Sequence, residues 1–396
     1  MLHRFRCIGV PWVRRSEVGY ENVNLSDIYV VFVVGTRAQL IKVAPVITEV
    51  AKRGHDYRVV FTGQHVETMD RLAEDFGLKP VTDRLYTGRE ITGVLQMALW
   101  FIGVMVRGVA RRRRGWLCGH DRVSTTLLVH GDTASTLAGA LIGRLLGLRV
   151  AHVESGLRSF KWLDPFPEEL IRVAVLRLAH LAFAPGEWAA RNVKNSRIRV
   201  CDTKFNTILD SLRMVLERPE DMPPKEPFAL VSIHRFENLA EEKRFVTIVD
   251  AVLSLSCQIA VRFVLHPVTR RRLCETGLMS RLEQCSNVQL LPRMIYSEFI
   301  RYAWTASLVL TDGGSNQEEL ALMGKPTVLV RKVTERQEGI GSTVIFWDFS
   351  TPLEKYLEED TSGSSEPSKA QPVLPEGAPA ELICDFLISE SSRTPA

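Results

Sequence analysis

Short apolar runs, each followed by a segment of helix length, constrain this chain more than any other feature of its sequence. "IYVVFVVG" (28–35), "YRVVFTG" (57–63), "TLLVHG" (126–131), "LRVAHVE" (148–154) and "LAFAP" (181–185) form one series. "ALVSIH" (229–234), "IAVRFVLHP" (259–267), "VQLLP" (288–292), "LVLTDG" (308–313) and "PTVLV" (326–330) form a second. Runs that are apolar on both faces and separated by helices belong to parallel sheets covered by helix layers. The pattern predicts an α/β chain with two doubly wound, Rossmann-like domains, 28–205 and 206–355, facing a central cleft. Between the two series, "RPEDMPPKEP" (218–227) has the proline-rich, charged composition of a linker. Residues 1–27 read as an N-terminal extension. Residues 356–396 read as a linker-like tail in which only "ELICDFLIS" (381–389) forms a short helix.

Composition excludes several classes. A formal net charge of +4 over 396 residues, evenly spread, leaves no electrostatic footprint for nucleic acid. Seven cysteines without a C-x-x-C pair predict a reduced, cytoplasmic chain with no zinc or other metal site. The apolar stretch "VLQMALWFIGVMV" (94–106) meets Arg107 too early to span a bilayer. With "RGVARRRRGW" (107–116) behind it, it reads as a core-facing helix ending in a solvated basic loop, in preference to a peripheral membrane contact. The N-terminal "MLHRFRCIGVPWVRR" lacks the apolar core of a signal peptide.

In doubly wound sheets, ligands bind beyond the carboxyl ends of the strands. The residues just past the runs are rich in charge: "GTRAQLIK" (Arg37, Lys42), "TGQH" (His65), "HGDTAST" (Asp132), "HVESGLR" (Glu154), "IHRFEN" (His234), "DGGSNQEE" (Gly313, Gly314, Ser315, Glu319) and "RKVTERQEG" (Arg336). "TDGGSNQEE" (311–319) combines two requirements. Its glycines stand at a strand-to-helix turn, where open amides and the helix dipole favour phosphate. Its second glutamate is placed to accept hydrogen bonds from the hydroxyls of a ribose. A nucleotide satisfies both.

"GTRAQLIKVAPVI", "VHGDTASTLAGALIGRLLGLRVAHVESGLRS", "PFPEELIRV", "HRFEN", "TDGGSNQEELALMGKP" and "TERQEG" resemble, in order and spacing, the UDP-N-acetylglucosamine 2-epimerase family over about residues 28–345. Some positions depart from that pattern. Ala38 and Gln39 stand where the family reads proline and glutamate, "DGGSNQEE" lacks a serine and carries Ser315, and "CDTKFN" replaces a T-G-N turn. The resemblance implies the GT-B architecture, with UDP held mainly by the second domain and the sugar facing the first. It implies a UDP-HexNAc substrate serving cell-surface polysaccharide synthesis, no nicotinamide or other cofactor, and a homodimer. Arg37, Lys42, His234, Arg336 and the amides of Gly313 and Gly314 would hold the diphosphate, with His65 and Ser315 also on the substrate and Glu319 on the ribose. Asp132, Glu154 and Glu168, with His234, would carry catalysis. Three other readings use the same residues: a hydrolysing 2-epimerase, a GT-B glycosyltransferase and a non-catalytic nucleotide-sugar sensor. The paired carboxylates favour an epimerase over the transferase, and the retention of all three argues against the sensor, while the altered phosphate loop leaves the hydrolysing outcome open.

Overall fold

The segment Tyr29–Val34 is buried along its whole length, as a strand between two helix layers must be. In the computed structural model it is β1 of a seven-stranded sheet. The structure describes residues 28–63, 69–79, 83–88, 91, 93–162, 166–193, 197–218, 226–331, 338–358 and 374–391. The other strands of this sheet are β2 (Asp56–Phe61), β3 (Asp83–Arg84), β4 (Thr125–His130), β5 (Arg149–Val153), β6 (Leu181–Ala184) and β7 (Arg199–Asp202). Their order is β3-β2-β1-β4-β5-β6-β7, and every neighbouring pair is parallel. A six-stranded parallel sheet contains β8 (Phe228–Ser232), β9 (Ala260–Val264), β10 (Val288–Leu291), β11 (Leu308–Thr311), β12 (Thr327–Leu329) and β13 (Val344–Phe346), in the order β10-β9-β8-β11-β12-β13. The strand order reverses between β1 and β4 and again between β8 and β11. These are the crevices where such sheets bind ligands.

The helix Arg37–Lys52 runs from the first crevice and contains Pro45, which cannot donate to the Ile41 carbonyl. The hydroxyl of Ser211 donates to that carbonyl instead, at 2.7 Å. Two sequence expectations need correction. The basic stretch after the apolar helix is not a loop, because Arg112–Leu117 is helical. The helix Val94–Ala110 turns only one face to the core, with Trp100, Val104 and Gly108 buried and Met97, Phe101 and Met105 packed beside them, while Leu95, Leu99, Ile102 and Val106 are exposed. The C-terminal helix is longer than expected, Pro379–Ser391, and packs against Arg37–Lys52, the helix Ile208–Leu216 and β7. Its Ala380 amide donates to Asp210 at 2.7 Å, and Asp385 pairs with Arg53. The extension 1–27 and residues 359–373 of the tail lie outside the described residues, as do 219–225 of the linker stretch.

The two lobes touch. Phe76 stacks on Tyr296 with ring centroids 5.5 Å apart, and the Ser297 amide donates to Asp75 at 3.0 Å. Apolar packing continues from one lobe to the other through this contact.

Candidate active site

The loop after β1 is fixed by one side chain. Gln39 accepts hydrogen bonds from the amides of Gly35 and Thr36, at 2.9 and 3.1 Å. Its amide nitrogen donates to the His130 carbonyl at 2.7 Å and to the Thr136 hydroxyl at 2.8 Å. A carboxylate here would have no proton for the His130 carbonyl, which gives the departure at Gln39 a structural reason. Gly35 has no room for a side chain, since a Cβ would stand 1.8 Å from Ser135 Oγ. The loop is thereby pressed onto the end of β4, and the helix it opens presents Arg37 and Lys42 to the crevice. Burial lowers the pKa of Arg37, the Arg293 charge adds to that, and Asp75 opposes it.

Glu154, just past β5, holds a left-handed backbone with φ +61, uncommon for a residue with a side chain and often found at functional sites. Lys42 Nζ lies 2.6 Å from its Oε1, and Asn206 Nδ2 donates to the same oxygen at 2.8 Å. His130 Nε2 is 3.2 Å from Oε2 but lacks the alignment of a hydrogen bond. Burial takes the pKa of His130 down to about 3, against the pull of Glu154, so its ring is neutral at pH 7. Lys42 also reaches Glu318 Oε2, on the second lobe, at 3.1 Å. Its ammonium thus sits between two carboxylates and spans the cleft.

Asp132 pairs with Arg172 at 2.6 Å. Arg172 is in turn 3.6 Å from Glu169, which is buried and takes Arg158 Nε at 2.5 Å and the Ser159 amide at 3.1 Å. Glu169 therefore braces the loop before its helix. Glu168 opens the helix Glu168–Leu178, and its Oε2 is buried without a hydrogen-bond partner among the described residues. His152 feels the charges of both Asp132 and Glu154, so these two carboxylates border one histidine. Among the described contacts, Glu168 touches neither.

At the second crevice the organiser is Asp312, wholly buried at the end of β11. It accepts from the amides of His234 (3.0 Å) and Arg235 (2.8 Å) and from Asn238 Nδ2 (2.9 Å), tying the end of β8 to that of β11. The His234 ring stacks on His266 at 4.3 Å. Burial lowers both pKa values, that of His266 to about 3 with further help from His234, Arg293 and Arg37. The charge of Arg37, from the first lobe, thus reaches His266, the ring that stacks on His234 in the second. The helix Gly314–Leu322 begins beside it, capped by Gly313, whose amide donates to Thr311 Oγ1 at 3.1 Å. First-turn amides at Gly314 and Ser315 lie at the positive end of that helix. Glu319 is buried one turn further in, beside Tyr296, whose phenol is raised well above its usual value by burial and then by Glu319 and Glu318.

Of the residues expected from sequence, Arg37, Lys42, Asp132, Glu154, His234, Gly313, Gly314 and Glu319 gather at the two crevices. His65 and Arg336 lie outside the described residues, and of Ser315 only the backbone is described. The sequence reading missed His130, Asn206, Asp312 and Glu318. His130 and Asp312 were within reach, since both stand at a strand end inside a motif already singled out.

A family model described as UDP-N-acetylglucosamine 2-epimerase matches residues 48–359. The UDP-N-acetylglucosamine 2-epimerase of Methanocaldococcus jannaschii is 30% identical over 349 residues, covering 82% of this chain and 90% of that one. The UDP-2,3-diacetamido-2,3-dideoxy-D-glucuronate 2-epimerase of Pseudomonas aeruginosa is 33% identical over 252 residues, 59% of this chain and 69% of the other. The crystal structure of the Methanocaldococcus jannaschii UDP-GlcNAc 2-epimerase in complex with UDP-GlcNAc and UDP superposes with a TM-score of 0.68 at 26% identity, over 91% of this chain and 100% of that one.

Proposed function

The chain belongs to the UDP-N-acetylglucosamine 2-epimerase family, and on that premise we propose how its own residues interconvert UDP-GlcNAc and UDP-ManNAc, or a related UDP-HexNAc pair. It is an isomerase of nucleotide sugars. The C2 proton of such a sugar is not adjacent to a carbonyl, so direct removal and return is unfavourable. Elimination avoids this difficulty. A carboxylate takes the C2 proton, the C–H electrons become the C1–C2 double bond, and UDP leaves with the C1–O pair. The resulting 2-acetamidoglucal is then protonated at C2 on the opposite face while a UDP oxygen returns to C1.

In this reading Asp132 and Glu154 move the proton, with Glu168 as the third carboxylate of the sugar side. Lys42 and Asn206 hold Glu154 in place. The leaving diphosphate is met by the amides at Gly313 and Gly314, by Arg37 and His234, and by Arg336. Preorganised donors aimed at developing charge are each worth on the order of 3 kcal/mol of barrier. Glu319 takes the ribose. The observation that carries the proposal is the Lys42 bridge, which joins Glu154 to Glu318 and so brings the nucleotide-type helix of the second lobe against the carboxylates of the first. The test is an incubation with UDP-GlcNAc in deuterated water followed by NMR. Deuterium at C2 with UDP still attached is the expected result. Free sugar, or no exchange, overturns it.

We further propose that the enzyme is a cytoplasmic homodimer closed by the helix Val94–Ala110. Leu95, Leu99, Ile102 and Val106 are 73%, 63%, 59% and 61% exposed, and they lie on one face at helical spacing. A helix lying on a membrane needs cations along its polar flank. Here Arg107 is the only charged residue of the helix, and the basic run sits beyond one end. A second copy packed antiparallel about Ile102 covers the stripe with itself, as a twofold contact requires. Ile102→Glu should halve the mass measured by light scattering, and an unchanged mass contradicts this interface.

A further inference from the structure

A pocket of about 510 Å³ lies on the opposite edge of the first sheet, at the N-terminal ends of β4, β5 and β6. Arg122, Arg144, Arg149 and His180 line it around Val123 and Leu148, so its titratable lining is wholly basic. His180 Nδ1 accepts a hydrogen bond from the Val150 amide at 2.9 Å. The proton of the neutral ring therefore sits on Nε2, and Nε2 faces Arg144 Nη1. Guanidinium nitrogens only donate. Two donors thus converge with no acceptor between them. Neither Arg122 nor Arg144 pairs with a carboxylate among the described residues. Arg149 donates to the Glu390 carbonyl at 3.1 Å, while the Glu390 carboxylate pairs with Arg199. Burial, then the charges of Arg144, Arg149 and Arg122, hold His180 down at about 4.

A plainer account would have these cations serve the helices Ala134–Leu145 and Glu168–Leu178, whose C-termini end beside the pocket. Two such termini supply about half a negative charge each, and the Glu390 carboxylate acts on Arg149 as well as Arg199; the guanidinium groups of Arg122 and Arg144 still exceed the charge of the termini. The surplus calls for an anion with several acceptor oxygens. We propose that this pocket binds a phosphate-bearing ligand, gripped by Arg122, Arg144 and the Nε2 proton of His180. It is distinct from the cleft. Arg149 begins β5 and Glu154 follows its end, a strand's length of about 16 Å apart, so UDP seated in the cleft does not reach it.

The test saturates the full chain with UDP and then titrates inorganic pyrophosphate by calorimetry at low salt. A second site is expected, weakened by about tenfold or more in Arg144→Gln and in Arg122→Gln, the ordinary worth of one charge-assisted contact, with UDP affinity unchanged. Cosedimentation with phosphatidylcholine vesicles, with and without phosphatidic acid, separates a lipid headgroup from a free phosphate as the source. Binding only to the phosphatidic acid vesicles, lost in Arg144→Gln, assigns the headgroup. No second binding with either probe, or binding that survives both substitutions, overturns the proposal.

Discussion

Asp132 and Glu154 are held differently, and this sets how each tolerates loss of charge. Asp132 has one strong partner, Arg172, at a partly open position, whereas Glu154 is bound by Lys42 and Asn206 inside the cleft. Asp132→Asn and Glu154→Gln are nearly isosteric, so both variants should keep UDP affinity by calorimetry. Each should slow C2 proton exchange by about a hundredfold or more, the usual scale for a general acid–base group. Wild-type exchange in both would remove these residues from the mechanism. In each variant the cationic partner keeps a second carboxylate, Lys42 retaining Glu318 and Arg172 retaining Glu169. Histidines predict a pH effect on stability. Burial holds His130 and His266 at about 3, below the 6.5 of an unfolded chain. The unfolded form takes up their protons first, so folded stability falls as pH drops from about 6.5 toward 3, by roughly 1.4 kcal/mol per unit for a fully buried ring and less for His266. Asp210, raised to about 6 by burial, opposes this between about 4 and 6, but five histidines, His130, His152, His180, His234 and His266, act in the other direction. Thermal midpoints should therefore decline steadily from pH 7 to pH 5, and a flat profile would contradict the assignment. Most of the candidate site is legible in residues next to strand ends, because that is where this fold puts ligands. Asn206 and Glu318 could not. Their partners, Glu154 and Lys42, are distant in sequence, and no spacing rule links them.

At the scale of elements, Gln39 joins the loop after β1 to the end of β4 through four hydrogen bonds. Gln39→Leu keeps the volume and strips every one of them, leaving the buried amides of Gly35 and Thr36 without that acceptor while the His130 carbonyl keeps the Thr136 hydroxyl. The loss should be on the order of 4 kcal/mol by chemical denaturation, together with slower turnover as Arg37 loses its footing. Unchanged stability would mean that the loop is held by something else. Strands buried on both faces were legible as continuous apolar runs, and all of those runs became strands. β3, β7 and β13 were not. β3 is a charged pair, Asp83–Arg84, and β7 is the half-exposed "RVCD". β13 has three residues with only Val344 buried. Edge strands have one neighbour and less core contact, so their sequences need not be apolar throughout.

For the whole molecule, groups proposed to hold the nucleotide come from both lobes: Arg37 from the first, His234 and the Gly313–Gly314 turn from the second. A ligand bridging two bodies biases the hinge between them toward closure. The radius of gyration from small-angle scattering should fall when UDP saturates the protein, and identical curves would argue for a rigid cleft. The helix Pro379–Ser391 binds the first lobe although the second sheet precedes it in sequence. During translation β1 to β7 emerge first, and the whole of the second sheet must follow before this helix appears. Until then the surface that Ile383, Cys384 and Leu387 will cover, over Arg37–Lys52 and Ile208–Leu216, stands open to solvent. Exposed apolar surface on a nascent chain invites aggregation. The half of the protein made first is thus the half finished last, and a ribosome stalled anywhere in the second sheet leaves it uncovered.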